Sequence, residues 1–120
     1  MMTRKEHSYE LEYEADMLFV DMIRKLADAV DERCFIHGKL RHIDANLLNK
    51  CIQLLMIYNH IESSKELSHA LNLSFTTINR MMQPREAKTV NRKSVDKVID
   101  YMKKTADKIE KDIEQNKNPS

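Results

Sequence analysis

"SSKELSHALNLSFTTINRMMQ", residues 63–83, sets the fold of this chain. Two short helical patterns meet at Asn72-Leu73-Ser74 with almost no linker between them. Ser63 or Ser64 is placed to cap the first, with Glu66 in its opening turn, and Ser74 is placed to cap the second. Two helices joined this tightly cross steeply, so a small residue is needed where one passes over the other. Ser68 stands there. The corner also needs a residue that tolerates a left-handed backbone; where glycine is usual, Asn72 is the next best choice. Leu67, Leu71, Leu73, Ile78 and Met81 then fill the inside. Together these features predict a helix-turn-helix over residues 64–83.

The rest of the chain is helical material too. Its 120 residues include one glycine, two prolines and three phenylalanines, which leaves little for hairpin turns. Leu, Ile, Met, Ala, Lys and Glu are plentiful, and the expected fold class is all-α, with about five helices and long ones at both ends. A first helix is expected from about Ser8 to Cys34. Leu11, Ala15, Leu18, Met22, Leu26, Ala29 and Val30 form one apolar stripe on it, widened by Phe19, Val20 and Ile23. "HGK" around Gly38 is the best break in the first half, and Asp44 is placed to cap a second helix, apolar nearly all round and therefore central. Pro84 is expected to end the fourth helix. The last should start near Thr89 or Asn91, with Val95, Ile99, Met102, Ala106, Ile109 and Ile113 in a strict heptad seam. "NKNPS" has the composition of a disordered end.

Three segments follow from this pattern. Residues 1–43 form an N-terminal helical arm suited to dimerisation, 44–103 the helix-turn-helix core, and 104–120 a charged helical tail. Charge divides the chain unevenly: residues 1–37 carry nine acids and five bases, 38–94 carry nine bases and four acids, and 95–120 carry six of each. A basic middle beside an acidic arm suits a polyanion that touches only the middle. The charged N-terminus does not resemble a signal peptide, no apolar run reaches membrane-spanning length, and Cys34 and Cys51 are expected to be reduced thiols. A cytoplasmic protein is expected.

"ELSHALNLSFTTINRMM" resembles the headpiece of the LacI repressor family and, more broadly, the lambda-repressor-like domains. "KSVDKVIDYM" is similar to the helix that follows the reading head in LacI-type proteins, although the intervening loop is slightly longer here. The resemblance covers about residues 63–102, and no sugar-binding domain is expected, so the likeness is to the DNA-binding part of that plan alone. The overall layout is also similar to Trp repressor, whose subunits intertwine as an all-helical dimer. Thr77-Ile78-Asn79-Arg80 falls where that family has a Thr-Ile-Thr-Arg run. A co-repressor pocket would need a second arginine, and the nearest match is Lys50, so no amino-acid ligand is expected.

The resemblance implies a sequence-specific DNA-binding regulator, a repressor, acting as a homodimer on double-stranded DNA. The helix after Ser74 would enter the major groove by its first turn. Phe75, Thr76, Asn79 and Arg80 would then read bases: Arg80 a guanine, Asn79 an adenine, and Phe75 a thymine methyl. Ser63, Ser64, Lys65, Ser74, Thr77, Arg85, Lys88, Arg92 and Lys93 would hold phosphates, which position the protein without reading sequence. One reading head contacts few base pairs, so such proteins usually pair to grip half-sites about 34 Å apart. Both terminal helices offer an apolar stripe for pairing, and the N-terminal one is favoured.

Two other functions remain open. In an ordinary helical corner, Phe75 would pack against the first helix and Arg80 would merely be solvated. In a protein-interaction module of the phage inhibitor or adaptor kind, the same head or the methionine-rich stripe would bind a protein. Cys34, His37, His42 and Cys51 make a C-x2-H-x4-H-x8-C pattern that matches no trusted zinc spacing, and His69 belongs on the outer side of its helix. No metal or other cofactor is expected. There is no nucleophile with a base at meaningful spacing and no phosphate-binding glycine loop, so catalysis is not expected.

Overall fold

The computed structural model describes residues 4–41, 44–83, 85–86 and 89–117. Among them the chain forms five helices and one minimal hairpin: α1 (Arg4–Arg33), β1 (Phe35–Ile36), β2 (Lys39–Leu40), α2 (Ala45–Tyr58), α3 (Ser64–Leu71), α4 (Phe75–Met82) and α5 (Arg92–Lys117). The class is all-α. Pro84, His42, Lys88 and the last three residues lie outside the described residues.

α1 and α5 run antiparallel along each other and form the long axis of the molecule. Ion pairs at successive levels set their register. Arg92 pairs with Asp31 at one end, Lys103 lies 3.9 Å from Asp28, and Arg24 meets both Asp107 (2.7 Å) and Glu110 (2.8 Å) further along. The Arg24 hydrogen bonds hold the Glu110 carboxyl below its ordinary range and raise the Arg24 guanidinium further above its own. Apolar residues do the main work between these levels. The heptad of α5 is buried at Val95, Ile99, Met102, Ala106 and Ile113, half-buried at Ile109, and joined by Val98.

On α1 the buried set differs from the expected stripe. Phe19, Val20, Ile23, Ala27 and Val30 face the core, whereas Leu11, Ala15, Leu18 and Met22 face outward. The reason is geometric: at 3.6 residues per turn the two sets lie roughly a third of a turn apart, and only one can face α5 and α2. Phe19, expected only to widen the stripe, is an anchor. Its ring stacks on Tyr58 of α2 at 3.4 Å between centroids and 9° between planes.

The "HGK" break is a hairpin, against the expectation that hairpins would be lacking. His37 (φ 52°) and Gly38 (φ 77°) both take the left-handed backbone that a two-residue turn of this hand demands. Phe35 pairs with Leu40 and Ile36 with Lys39. No heavy atom lies within 4 Å of where a Gly38 Cβ would stand, so backbone conformation, rather than space, calls for glycine. Lys39 also bridges to Asn91, which fixes the hairpin to the start of α5, and the Arg92 guanidinium lies 4.4 Å over the Phe35 ring.

α2 is the central helix, buried at Ala45, Leu48, Cys51, Ile52 and Leu55. Asp44 precedes it but does not cap it; its carboxylate is taken by Arg41 at 2.6 Å. α5 begins at Arg92, three residues later than a Thr89 start and one later than Asn91, because Asn91 is its cap: the Asn91 Oδ1 accepts from the Ser94 amide. One polar pair lies within the apolar interior. Asn59 donates to the Thr105 hydroxyl at 3.1 Å, and that hydroxyl donates to the Tyr101 carbonyl at 2.8 Å. Among the described residues no buried side-chain polar atom lacks a partner. The buried residues form one cluster from Phe19 to Ala106, continuous across all three sequence segments.

Candidate nucleic-acid interface

The corner at residues 63–83 is built as its sequence demands. At its start the Ser63 hydroxyl accepts from the Glu66 amide at 3.2 Å, while the Glu66 carboxylate accepts from the Glu62 amide at 2.9 Å. At its end α3 closes with a Schellman arrangement. The Leu73 amide reaches back to the Ser68 carbonyl at 3.1 Å and the Asn72 amide to the His69 carbonyl at 3.2 Å, with Asn72 left-handed at φ 52°, ψ 48°. Ser68 adds a bond that a larger apolar residue could not make: its hydroxyl donates to the Leu73 carbonyl at 2.5 Å. Ser74 then caps α4, accepting from the Thr77 amide at 3.1 Å and sharing a hydrogen bond with the Thr77 hydroxyl at 2.8 Å.

This closure aims α4 by a simple division of faces. Leu67, Leu71, Ile78 and Met81 are buried, and Leu73 is half-buried against the same core. Ser74, Phe75, Thr76 and Arg80 are exposed, and Asn79 and Thr77 are half-buried. Phe75 is 53% exposed rather than packed into the core, while Arg80 is solvated as an ordinary corner would also have it. α4 therefore opens with an aromatic ring held in solvent, beside Thr76 and one turn before Arg80.

The residues expected to hold phosphate divide into groups. Ser63, Ser64 and Lys65 are exposed together at the start of α3, and Ser74 lies at the start of α4. Arg85 and Lys93 are exposed, whereas Lys88 lies outside the described residues. Arg92 does not stand open as expected. It is half-buried, pairs with Asp31 and Asp96, and covers Phe35, so its charge serves the junction of α1, the hairpin and α5. Exposed acids Glu62, Glu66 and Glu86 lie among these bases, which leaves the surface only mildly positive.

Two residues were missed in the sequence. Gln83 follows α4 and is exposed, one turn beyond Asn79 and Arg80, and the helical period alone would have found it. Lys97 donates to the Asn72 carbonyl at 2.8 Å, tying α5 to the corner. No local pattern announces that contact, since the two residues are 25 apart in sequence.

Cys34 and Cys51 are free, buried thiols. Burial, with Cys34 nearby, pushes the Cys51 thiol up to about 11; burial first, then the Asp44 charge, raises Cys34. Among the described residues no three His, Cys, Asp or Glu side chains are grouped to hold a metal, and no helix is long and apolar enough to cross a membrane. Comparison with protein-family models, with curated proteins and with solved structures gives no match to this chain.

Proposed function

We propose that this protein is a sequence-specific DNA-binding regulator, a repressor that binds double-stranded DNA through α3 and α4 as a homodimer. The observation that carries the proposal is the solvent-held face of α4. Phe75, at 53% exposure, shares it with Thr76 and Arg80, three residues after a left-handed corner at Asn72. An exposed phenylalanine costs solvation unless something covers it, and a thymine methyl in the major groove is an apolar surface of suitable size.

In this function α4 enters the groove by its first turn. Arg80 donates its fork of hydrogen bonds to a guanine, and half-buried Asn79 pairs with an adenine. Ser63, Ser64, Lys65 and Ser74 sit at the starts of two helices, where free amides and the helix dipole favour phosphate. Lys65, Arg85 and Lys93 supply the charge that makes such binding salt-dependent. By occupying an operator, the protein would exclude other DNA-binding proteins from it.

The same exposed ring supports a second function, because Phe75 is also suited to anchor a protein partner of an inhibitor or adaptor. Selection of binding sites from random duplex DNA separates the two. A recovered palindrome that loses definition at one guanine on Arg80→Ala, with a loss of about 1–3 kcal/mol, supports DNA reading. No enriched motif and no salt-dependent binding to duplex DNA would sink it and leave the protein-binding function.

A further inference from the structure

Apolar side chains left in solvent are concentrated on one arm of the molecule. Of the nine large hydrophobic residues exposed in the described chain, six fall within residues 9–22 of α1: Tyr9, Leu11, Tyr13, Met17, Leu18 and Met22. Scattered singly they would call for no explanation, but on one stretch of helix they form a patch. Residues 8–15 are exposed at every position, so this stretch projects beyond the helices that cover the rest of α1.

A row of acids runs through the patch. Glu10, Glu14 and Asp21 follow one another at spacings of four and seven, which places them on one line along the helix. Leu11 and Leu18, three before and four after Glu14, border the row on one side. Tyr13 and Met17, three after Glu10 and three after Glu14, border it on the other. No Lys or Arg stands between residues 6 and 23. Asp21 is paired with Lys25 at 2.9 Å, but the ion pairs among the described residues leave Glu10, Glu12, Glu14 and Asp16 unused.

We infer that this face of α1 docks a basic amphipathic helix of a different protein, with aliphatic side chains seated on Leu11, Leu18 and Met17 and Lys or Arg side chains paired with Glu10 and Glu14. Charge chooses the occupant. A second copy of this chain brings the same unbalanced acids. Paired antiparallel on this face, Glu12 and Glu14 would meet Asp21 of the second copy, and parallel pairing would join the two acidic rows. An anionic lipid surface is disfavoured for the same reason, since helices that lie on such membranes carry Lys and Arg beside their apolar face. A cationic helix satisfies the apolar stripes and the row between them at once. Pairing of copies for DNA binding is thereby left to another surface of the chain.

The docking face stands apart from the reading head. Lys97 touches the Asn72 corner near the start of α5, whereas Glu110, which meets Arg24, is thirteen residues or about 20 Å further along. Glu14 lies ten residues beyond Arg24 on α1, a further 15 Å or so, about. A partner here leaves α4 open, and the inference does not rest on DNA binding. One helix laid on this stretch buries less than the roughly 800 Å² per partner of a standard interface, so micromolar dissociation is expected. Opposite charges speed the encounter and make the affinity fall with salt.

The test titrates the full chain into a fluorescein-labelled synthetic helix of about eighteen residues, Leu on one face with Lys beside it, and reads anisotropy. Micromolar, salt-sensitive binding is expected, weakened at least tenfold by Leu18→Ser and by Glu10→Lys combined with Glu14→Lys. All three positions are exposed, so these variants should keep the helical signal and melting temperature of the parent. A peptide with Glu in place of Lys should bind the doubly reversed variant and not the parent. Arg80→Ala should change none of this, so failure here and failure of the DNA function are separately visible. No saturable binding up to about 300 µM, or binding that either substitution leaves untouched, would overturn the inference. Equal binding of a scrambled peptide without an apolar face would do the same. A dimer of the chain alone that Leu18→Ser breaks, or sedimentation with phosphatidylserine vesicles that Leu18→Ser abolishes, would give the face to a different occupant and overturn it equally.

Discussion

Lys97 of α5 donates to the carbonyl of Asn72 at 2.8 Å, so the helix that packs along α1 also holds the corner from which α4 projects. The corner is thereby fixed from two sides. Ser68 holds it from within α3, and Lys97 holds it from the body of the molecule. A head that presents side chains to a groove needs this, since a small shift at the corner is carried outward along α4.

The backbone at Asn72 gives a direct measure of that corner. Asn72→Gly should be neutral within a few tenths of a kcal/mol, because glycine takes the left-handed conformation without penalty. Asn72→Val should cost about 1–2 kcal/mol in urea unfolding, since a β-branched residue is strained there. Equal stabilities for the two variants would mean that the corner relaxes away from φ 52°.

Burial separates Phe75 from its neighbour Ile78. Ile78 is fully buried, and Ile78→Ala should lose about 2–5 kcal/mol of stability. Phe75→Ala should leave the melting temperature within about a degree or two of the parent, because little packing is removed, while ligand binding to α4 drops. A large fall in stability on Phe75→Ala would show that the ring is packed in solution.

The caps make a third comparison. Ser63→Ala and Ser74→Ala each remove an acceptor from a helix amide and should each cost about 0.5–2 kcal/mol. Ser64→Ala, one residue inside α3, should cost much less. Denaturant curves of the three variants decide the matter, and equal losses at residues 63 and 64 would argue that the hydroxyl of Ser63 is not the cap.

Acid should loosen the α1–α5 pairing at one identifiable place. Hydrogen bonds from Arg24 hold the Glu110 carboxyl below its ordinary value. Such a group stabilises the fold at neutral pH and loses that contribution as pH falls through the lowered folded value. Glu110→Gln should therefore melt below the parent at pH 7, and the two should converge as pH falls through the lowered folded value of Glu110. A gap that persists in acid would assign the effect to packing.

Base acts through Cys51. Its thiol is pushed from the usual 9.0 to about 11, chiefly by burial, so the stability it confers is present below pH 9 and is lost as pH rises towards 11. In the native protein Cys51 should resist iodoacetamide at pH 8 and react promptly in guanidinium. Native labelling at the unfolded rate would place the thiol at the surface.

The corner and the last helix were legible because their rules are local. Serine at both caps, Asn72 at the left-handed position and Ser68 at the close approach act within a few residues, so the sequence of residues 63–83 already determines its hydrogen bonds. The α5 seam was legible because a strict heptad has only one apolar face. The first helix has two, and composition alone does not rank Leu18 against Phe19.

The tertiary structure made that choice. It buried Phe19 against Tyr58 and turned Leu18 outward, because α5 and α2 can cover only one side of a helix. In the same way it gave Arg92 to Asp31 and Phe35, and Lys97 to Asn72, through contacts between residues distant in sequence. The sequence by itself determined the class, the corner and the outward side chains of α4. Only the packing of helices against one another decided which apolar face is left for a partner and which charges are left for a ligand, since helical period places side chains on a face but does not say what that face will meet.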